Sequence, residues 1–406
     1  MKLYFFQFIN ASSVVIRTFL ILYFGSSSSL GIYSLCVSSI LLFSFIPQLI
    51  VNNQGLQFEL MKMNLIDQEE ILKAFGVIMF IVNFSLLLFF YFFENLVQID
   101  NINQNLVLLS IFGACFVSII ISIFDFKAIS NNKLGILYLT NATNSFSSVL
   151  FAFVVLFFFK KEKIIFLPLL STIFPLLIYL FYYRFNLRFI LFFYFKKTYL
   201  KKAFSLLRST WIISLVPIVN NLIDYLLKFA ISKISGFSIL GYFQTIVSIE
   251  SLTGNILLGP LNRKILFSYS TKSTNEYSTS VIVKKCIILS CIPIFFLVSL
   301  YPVNYFYLIP NKYYSILSLM IYILSIRIIW NFWGAIGQIL VSRRRYNFVS
   351  FVEISNKFLI ASIFIIFLNF SDFGIWSYLI SLCLTACFLI SVLYYIKSNN
   401  LINNEK

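Results

Sequence analysis

Twelve long apolar runs constrain this chain more than any other feature of its sequence. A helix needs about 20 predominantly apolar residues to cross the hydrocarbon layer of a membrane, and each run is close to that length. With 60% hydrophobic and only 11% charged residues, the chain also lacks the charge that covers a soluble domain. We therefore expect an all-α integral membrane protein. The runs cover residues 5–24, 32–51, 74–93, 106–124, 134–159, 164–183, 210–232, 241–261, 286–304, 315–340, 348–369 and 374–396.

The basic residues predict how the chain is threaded through the membrane. A net charge of +17 would favour nucleic-acid binding in a soluble protein. In a membrane protein, Lys and Arg collect instead in the loops that stay cytoplasmic; with both termini inside, about 22 basic residues fall there. We therefore predict cytoplasmic termini and no nucleic-acid partner. The basic residues left outside would be Lys160, Lys161, Lys163, Lys233 and Lys312.

The longest basic stretch divides the chain into two halves of six runs each. It extends from Arg184 to Arg208 and contains no acidic residue. We predict two six-helix bundles, residues 1–183 and 210–406, joined by a basic cytoplasmic connector, residues 184–209. The connector either lies along the anionic cytoplasmic leaflet or is a solvated link that only obeys the charge rule.

A glycine hairpin motif occurs once in each half. Gly25-Ser-Ser-Ser-Ser-Leu-Gly31-Ile-Tyr33 follows the first run, and Gly236-Phe-Ser-Ile-Leu-Gly241-Tyr242 follows the seventh. Glycine where one helix stops, then Leu-Gly and an aromatic residue where the next begins, indicates the same short connection used twice. This repetition fits a transporter built from two related bundles with the substrate between them.

Two acid–base pairs lie inside apolar runs, where an ionisable residue costs several kcal/mol and is a functional candidate by default. Asp224 precedes Lys228, and Glu353 precedes Lys357, by four residues. This spacing puts the two side chains of each pair on one helix face. Each pair is therefore either a structural ion pair or part of a functional site.

Three further intramembrane charges have no partner at that spacing on their own helix: Arg17, Glu250 and Arg327. Glu250 would pair with Arg327 or Arg17 across the bundle, or the arginines would line a site for an anion. A guanidinium group presents paired donors to phosphate oxygens. Four bases against three acids within the membrane favour an anionic substrate over a cationic one.

Uncharged polar residues accompany these charges, whereas the usual metal ligands and general bases are scarce. Amides in the runs either line a cavity for sugar hydroxyls or form hydrogen bonds between helices. The sequence contains no histidine, so we expect no metal site, no cofactor and no catalytic residue. The amides are Gln7, Asn10, Asn141, Asn144, Asn220, Asn221, Gln244, Asn255, Asn331 and Gln338.

Three stretches resemble the O-antigen repeat-unit flippases (Wzx) of the multidrug/oligosaccharidyl-lipid/polysaccharide (MOP) exporter superfamily. One is Arg17 through the first glycine hairpin. The second runs from Asn220 through the second hairpin, with Asp224 ahead of a similar Gly-x-Tyr. The third runs from Pro310 to the basic turn that ends at Arg345. One departure is the first hairpin, whose glycines lie one residue further apart than those of the second.

The resemblance implies a MATE-like fold and a transporter, not an enzyme. The implied function is to flip undecaprenyl-pyrophosphate-linked oligosaccharide across the bacterial inner membrane by alternating access of the two bundles. It also implies membrane lipids, an O-antigen polymerase and a chain-length regulator as partners. The implied substrate-binding residues, which form a cationic cavity, are Arg17, Lys228, Arg327 and Lys357, and the implied ion- or proton-coupling residues are Asp224, Glu250 and Glu353.

Two rival functions stay open. An O-antigen polymerase is also multispanning and basic, but such enzymes resemble one another in having large periplasmic loops, and the outside loops here are short. A MATE-type exporter of drugs or metabolites would share the fold. It would favour an acidic cavity for cationic substrates, whereas the intramembrane charge here is slightly basic.

Overall fold

Twelve α-helices follow one another along the described part of the chain, and each overlaps one of the twelve apolar runs. The computed structural model describes residues 2–43, 56, 59–60, 63–92, 104–130, 133–158, 164, 166–182, 197–253, 258, 261–262, 265, 279–305, 314–370 and 376–399. Residues 184–196 of the predicted connector lie outside the described residues, as do Lys160, Lys161, Lys163, Lys312, Asn255 and residues 310–313. The helices are α1 (Lys2–Leu20), α2 (Ser27–Phe43), α3 (Leu65–Phe92), α4 (Gln104–Ser130), α5 (Leu134–Phe158), α6 (Leu167–Tyr182), α7 (Lys197–Ile234), α8 (Gly236–Thr253), α9 (Thr279–Tyr305), α10 (Tyr314–Ser342), α11 (Tyr346–Asn369) and α12 (Trp376–Ser398).

The length and apolarity of the helices agree with a membrane location. Among the described residues, five helical segments are long and apolar enough to span a bilayer, and shorter apolar segments occur in α1, α2, α4 and α6. Many large apolar side chains are exposed, including Phe181 and Phe295 at 79% and 74%, as expected where the surrounding solvent is lipid. The long segments are Gly135–Phe158, Leu215–Ile234, Leu319–Ser342, Tyr346–Asn369 and Trp376–Ser398.

Helix ends are set by specific local chemistry. The Asn64 side chain caps α3, because its Oδ1 accepts a hydrogen bond from the backbone N–H of Asp67 at 2.8 Å. Gly236, the first residue of α8, has φ of +82°, a backbone conformation that favours glycine. After α10 a positive φ occurs at Arg344, with a value of +58°. The backbone N–H of Arg345 there bonds back to the carbonyl of Leu340 at 3.0 Å, as in a Schellman turn.

The chain forms two compact units, Met1–Gln244 and Thr245–Lys406. In the first unit α1 packs on α5, α5 on α6, α4 on α6, and α7 on both α2 and α3. In the second unit α9 packs on α10, and α12 packs on both α10 and α11. The predicted division into residues 1–183, 184–209 and 210–406 stays a prediction.

Helix α7 begins well before the apolar run that identified it. It has 38 residues and continues through Pro217, so Lys197 to Ser209 of the predicted connector form its first turns. Ala203 in this segment is fully buried in a cluster with helices α3 to α6. The Tyr199 hydroxyl donates a hydrogen bond to Asp67 Oδ1 of α3 at 2.9 Å. The N-terminal end of α7 is therefore packed onto α3 rather than solvated on all sides.

Candidate functional site

All seven intramembrane charges lie on described helices. The first unit contains Arg17 on α1 and the Asp224–Lys228 pair on α7. Glu250 on α8 and Arg327 on α10 belong to the second unit. The second unit also contains the pair on α11, in which Glu353 and Lys357 are both half-buried and lie one turn apart.

The Asp224–Lys228 pair is bonded to a hydroxyl group on another helix. Lys228 Nζ lies 2.9 Å from Asp224 Oδ2 and donates a hydrogen bond to Ser38 Oγ on α2 at 2.7 Å. Ser38 Oγ in turn donates to Asp224 Oδ2 at 3.2 Å. The two charges are unequally buried, since the Lys228 side chain is 6% exposed and that of Asp224 is 36% exposed. The ammonium group therefore depends on the pair more than the carboxylate does.

One face of α2 carries this contact and two more with α7 and α8. Ser34 Oγ donates a hydrogen bond to Gln244 Oε1 at 2.6 Å. One turn past Ser38, the carbonyl of Leu41 accepts a hydrogen bond from Asn221 Nδ2 at 3.5 Å. These residues recur every three or four positions, which is the spacing of one helix face. Helix α2 is thus joined to α7 and α8 over about two turns.

The two glycine hairpins meet each other at the end of this face. A Cβ atom on Gly31 would lie 2.2 Å from the backbone oxygen of Phe237, and one on Gly241 would lie 2.0 Å from the backbone oxygen of Ser27. Both distances are too short for any side chain, so the backbones of α2 and α8 touch at two reciprocal points. This close approach gives the repeated Leu-Gly motif a physical reason.

Arg17 is held by uncharged groups. Its Nη1 donates a hydrogen bond to Ser148 Oγ of α5 at 3.1 Å, and its guanidinium carbon lies 5.3 Å from the centre of the Tyr33 ring, within range of a cation–π interaction. Its Nε is buried and has no hydrogen-bond partner among the described residues.

A network in the second unit joins three helices. Arg327 Nε forms an ion pair with Glu250 Oε1. The Tyr378 hydroxyl of α12 donates to Glu250 Oε2 at 2.8 Å and accepts from Arg327 Nη2 at 3.1 Å. On its other side the guanidinium carbon lies 5.1 Å from the Trp330 ring centre. Glu250 is therefore paired with Arg327 in this structure, and the anion site at the arginines stays a prediction.

The structure brings in residues that the sequence does not single out. Ser38, Ser148 and Tyr378 each bind an intramembrane charge, yet the chain contains 24 tyrosines and many intramembrane serines, so composition gives no signal for any one of them. Four of the amides form hydrogen bonds between helices: Gln244 and Asn221 with α2, as above, Asn331 with Ser290 at 3.0 Å, and Asn10 with Ser145 of α5. Such bonds agree with a structural role for these amides.

Among the described residues, no group of three or more His, Cys, Asp or Glu side chains is placed to hold a metal ion. The six cysteines are all free thiols, and Cys36, Cys115 and Cys286 are buried. What the intramembrane groups offer is charge and hydrogen bonding.

The fold is that of membrane transporters, and comparison with solved structures shows this over nearly the whole chain. A MATE transporter in complex with MaL6 superposes with a TM-score of 0.73 at 11% identity, over 99% of this chain and 96% of the other. The lipid II flippase MurJ, in an inward closed conformation, superposes with a TM-score of 0.62 at 14% identity, over 97% and 87%.

A third structure belongs to a MOP superfamily transporter from Pyrococcus furiosus, described as having a binding pocket of reverse polarity. It superposes with a TM-score of 0.58 at 11% identity, over 99% and 96% of the two chains. No protein-family model and no curated protein sequence matches the chain. The chain is therefore a multi-pass, all-α membrane protein with a MATE-like fold, which it shares with these two transporters and the flippase.

Proposed function

We propose that this protein flips an undecaprenyl-pyrophosphate-linked oligosaccharide, the repeat unit of O-antigen, across the bacterial inner membrane. Arg17 carries the proposal. It is a permanently charged group on a membrane helix, held by a serine and an aromatic ring, with a buried donor that has no partner among the described residues. Guanidinium donors of this kind suit phosphate oxygens or acidic sugars.

The other intramembrane charges take roles in the same transport cycle. Lys228, Arg327 and Lys357 join Arg17 as cationic substrate contacts. Asp224, Glu250 and Glu353 are the coupling residues, which exchange an ion or proton as the bundles alternate their access. Lys228 and Arg327 are each paired with a carboxylate here, so they reach substrate only when those pairs open.

A translocation assay in vesicles tests the proposal. Purified protein is reconstituted with lipid-linked oligosaccharide, and the fraction that crosses to the far leaflet is measured with time. We expect Arg17→Ala to reduce the rate at least tenfold, because loss of a charge-assisted bidentate contact costs more than about 1.4 kcal/mol. Arg208→Ala is the matched control, since Arg208 is an exposed arginine on α7. Wild-type rates for both Arg17→Ala and Arg327→Ala, in protein that inserts normally, would refute the cationic site.

A second candidate function is export of a drug or metabolite. The fold favours it directly, because the MATE multidrug transporter DinF-BH superposes with a TM-score of 0.70 at 12% identity, over 99% of this chain and 94% of the other. The intramembrane charge opposes it, because four bases against three acids suit an anion. Competition between tetraphenylphosphonium, a lipophilic cation, and the lipid-linked oligosaccharide in the same vesicles separates the two candidates.

The proposed setting is the inner membrane, with both termini in the cytoplasm and with an O-antigen polymerase and a chain-length regulator as partners. Reporter fusions test the threading. An alkaline phosphatase fused at residue 100 should be active outside, and one fused at residue 195 should be inactive. The reverse pattern would invert the predicted topology.

A further inference from the structure

In the Glu250–Arg327–Tyr378 network, the arginine that is proposed to bind substrate already has a partner. Arg327 is assigned to substrate, yet its Nε is already paired with a carboxylate. An anion that reaches Arg327 therefore meets an occupied guanidinium group. Either the anion adds to the pair or it replaces Glu250.

The burial of these side chains favours replacement of Glu250 by the incoming anion. The Arg327 side chain is 17% exposed and that of Glu250 is 9% exposed, while Tyr378 is 5% exposed. The arginine is therefore the member that an incoming anion reaches first. The guanidinium is also bounded by the Trp330 ring on one side and by Tyr378 on another. Two anions around one partly buried guanidinium would repel each other.

Tyr378 makes the exchange possible. Its hydroxyl group donates to Glu250 Oε2, whereas the ion pair with Arg327 uses Oε1. A carboxylate that loses Arg327 thus keeps the hydrogen bond from Tyr378 in a low-dielectric interior. The ring of Tyr378 also packs edge-on against Phe364, with centroids 5.8 Å apart, a contact that does not involve the ion pair.

We propose that a substrate phosphate and the Glu250 carboxylate compete for the Arg327 guanidinium, with Tyr378 as the positioning residue that holds Glu250 once it is displaced. This inference rests on the proposed function for the chemistry of the ligand, a pyrophosphate group on a lipid. It adds that Glu250 opposes substrate binding, and that Tyr378 acts through Glu250 and not on the substrate.

Binding of farnesyl pyrophosphate to the purified protein tests the competition, with farnesol as the probe that lacks phosphate. Trp330 is a built-in reporter, because its ring lies against Arg327. Its fluorescence should change on binding of the pyrophosphate and not of farnesol. Trp330→Phe should remove the signal, which separates it from that of the other three tryptophans.

The direction in which Glu250→Gln changes binding shows whether Glu250 competes with the phosphate for Arg327 or only orients Arg327. We expect Glu250→Gln to tighten binding about tenfold, because the amide keeps the shape of the side chain but no longer competes as an anion. Weaker or unchanged binding would overturn the proposal, because loss of a carboxylate that only orients Arg327 would not tighten binding. Glu70→Gln, the same change on α3, is the control and should have no effect.

A double-mutant cycle tests the role of Tyr378. Tyr378→Phe keeps the ring and removes the hydroxyl group, and it should weaken binding about tenfold, as expected for a hydrogen bond to a charged group. In the Glu250→Gln background the same change should have an effect of no more than about twofold. Equal effects in the two backgrounds would show that Tyr378 does not act through Glu250. Tyr395→Phe, at an exposed position of α12, is the control.

The binding and transport assays fail independently. If binding follows this pattern but vesicles do not translocate lipid-linked oligosaccharide, the proposed function is wrong and the exchange stands. If translocation occurs but Glu250→Gln does not tighten binding, the flippase proposal stands and the exchange is wrong.

Discussion

The Asp224–Lys228 pair and the Glu250–Arg327 pair are both carboxylate–cation contacts within the membrane, but they are built differently. The first joins residues one turn apart on α7 and is hydrogen-bonded to the Ser38 hydroxyl group of α2. The second joins α8 to α10 and is bridged by Tyr378 from α12. A pair within one helix forms wherever that helix forms, whereas a pair between helices exists only while their packing persists. The cross-helix pair is therefore the one that motion of the helices would make or break.

The largest expected effect comes from breaking the cross-helix pair. Glu250→Leu leaves the Arg327 guanidinium without its carboxylate and should lower the free energy of unfolding by about 3–5 kcal/mol. Thermal unfolding of the purified protein measures the loss. Glu250→Leu with Arg327→Leu should recover most of it, because no unpaired charge then remains. A loss below about 1 kcal/mol for the single change would mean that the pair does not hold these helices together.

A bulky side chain at Gly241 tests whether the backbones of α2 and α8 pack closely against each other. Gly241→Leu places side-chain atoms where the backbone oxygen of Ser27 lies. It should lower the free energy of unfolding by about 3 kcal/mol, at the upper end for overpacking, because backbone cannot move aside as a side chain can. Gly135→Ala on α5 is the control, since its Cβ would meet nothing within 4 Å. Equal stability of the two variants would contradict the close approach.

The two members of the Asp224–Lys228 pair are unequally buried, so their substitutions should differ in their effect on stability. Asp224→Asn removes the carboxylate beside a buried ammonium, whose other partner among the described residues is Ser38, and should lower the free energy of unfolding by about 2 kcal/mol, less than breaking a fully buried pair. Lys228→Met leaves a carboxylate that is 36% exposed and should cost less than about 1 kcal/mol. Unfolding midpoints of the two variants in the same detergent give the order. The opposite order would mean that the carboxylate is the group that depends on the pair.

The smallest effect is expected from a tyrosine–carboxylate contact outside the spanning segments. Tyr199 donates to Asp67 at 2.9 Å, much as Tyr378 donates to Glu250. Tyr199→Phe should change stability less than Tyr378→Phe, because water replaces the lost hydrogen bond at the accessible site only. Thermal unfolding at neutral pH compares the two variants, and a larger effect of Tyr199→Phe would contradict this ranking.

The same contact has a pH signature. The hydrogen bond to Asp67 raises the pKa of Tyr199 above its usual value of 10.0. Its contribution to stability should therefore be complete below pH 10 and disappear as the pH rises through the higher pKa of the folded state. Unfolding midpoints of wild type and Tyr199→Phe should differ most below pH 10 and converge above it. A difference that is constant with pH would exclude this linkage.

The length and position of the apolar runs predict the helices but not all of their ends. Residues 134–159 were expected to span, and α5 is Leu134–Phe158. Helix α7 was expected from residue 210 and begins at Lys197. Its first turns are polar and basic, and they are helical because Ala203 and Tyr199 find partners on α3 to α6. Hydropathy does not contain that information.

The candidate site, too, could be predicted from the sequence only in part. The spacing of Asp224 and Lys228 predicts their proximity, because four residues make about one helical turn. For Glu250 the sequence leaves several partners open, because nothing local specifies which helix lies opposite. Ser38 and Tyr378 carry no sequence signal at all. Their roles arise from the faces that α2 and α12 turn toward the charges.

The sequence by itself determined that this chain is a bundle of membrane helices and that Asp224 and Lys228 lie on one face of their helix. Both follow from local rules, since a spanning helix satisfies its own backbone and one helical turn sets the distance between side chains. Only the tertiary structure decided that Arg327 pairs with Glu250 and Tyr378, and that Gly31 and Gly241 lie against the backbone of each other's helix. Those contacts join residues far apart in the chain, and they depend on which helix faces pack together.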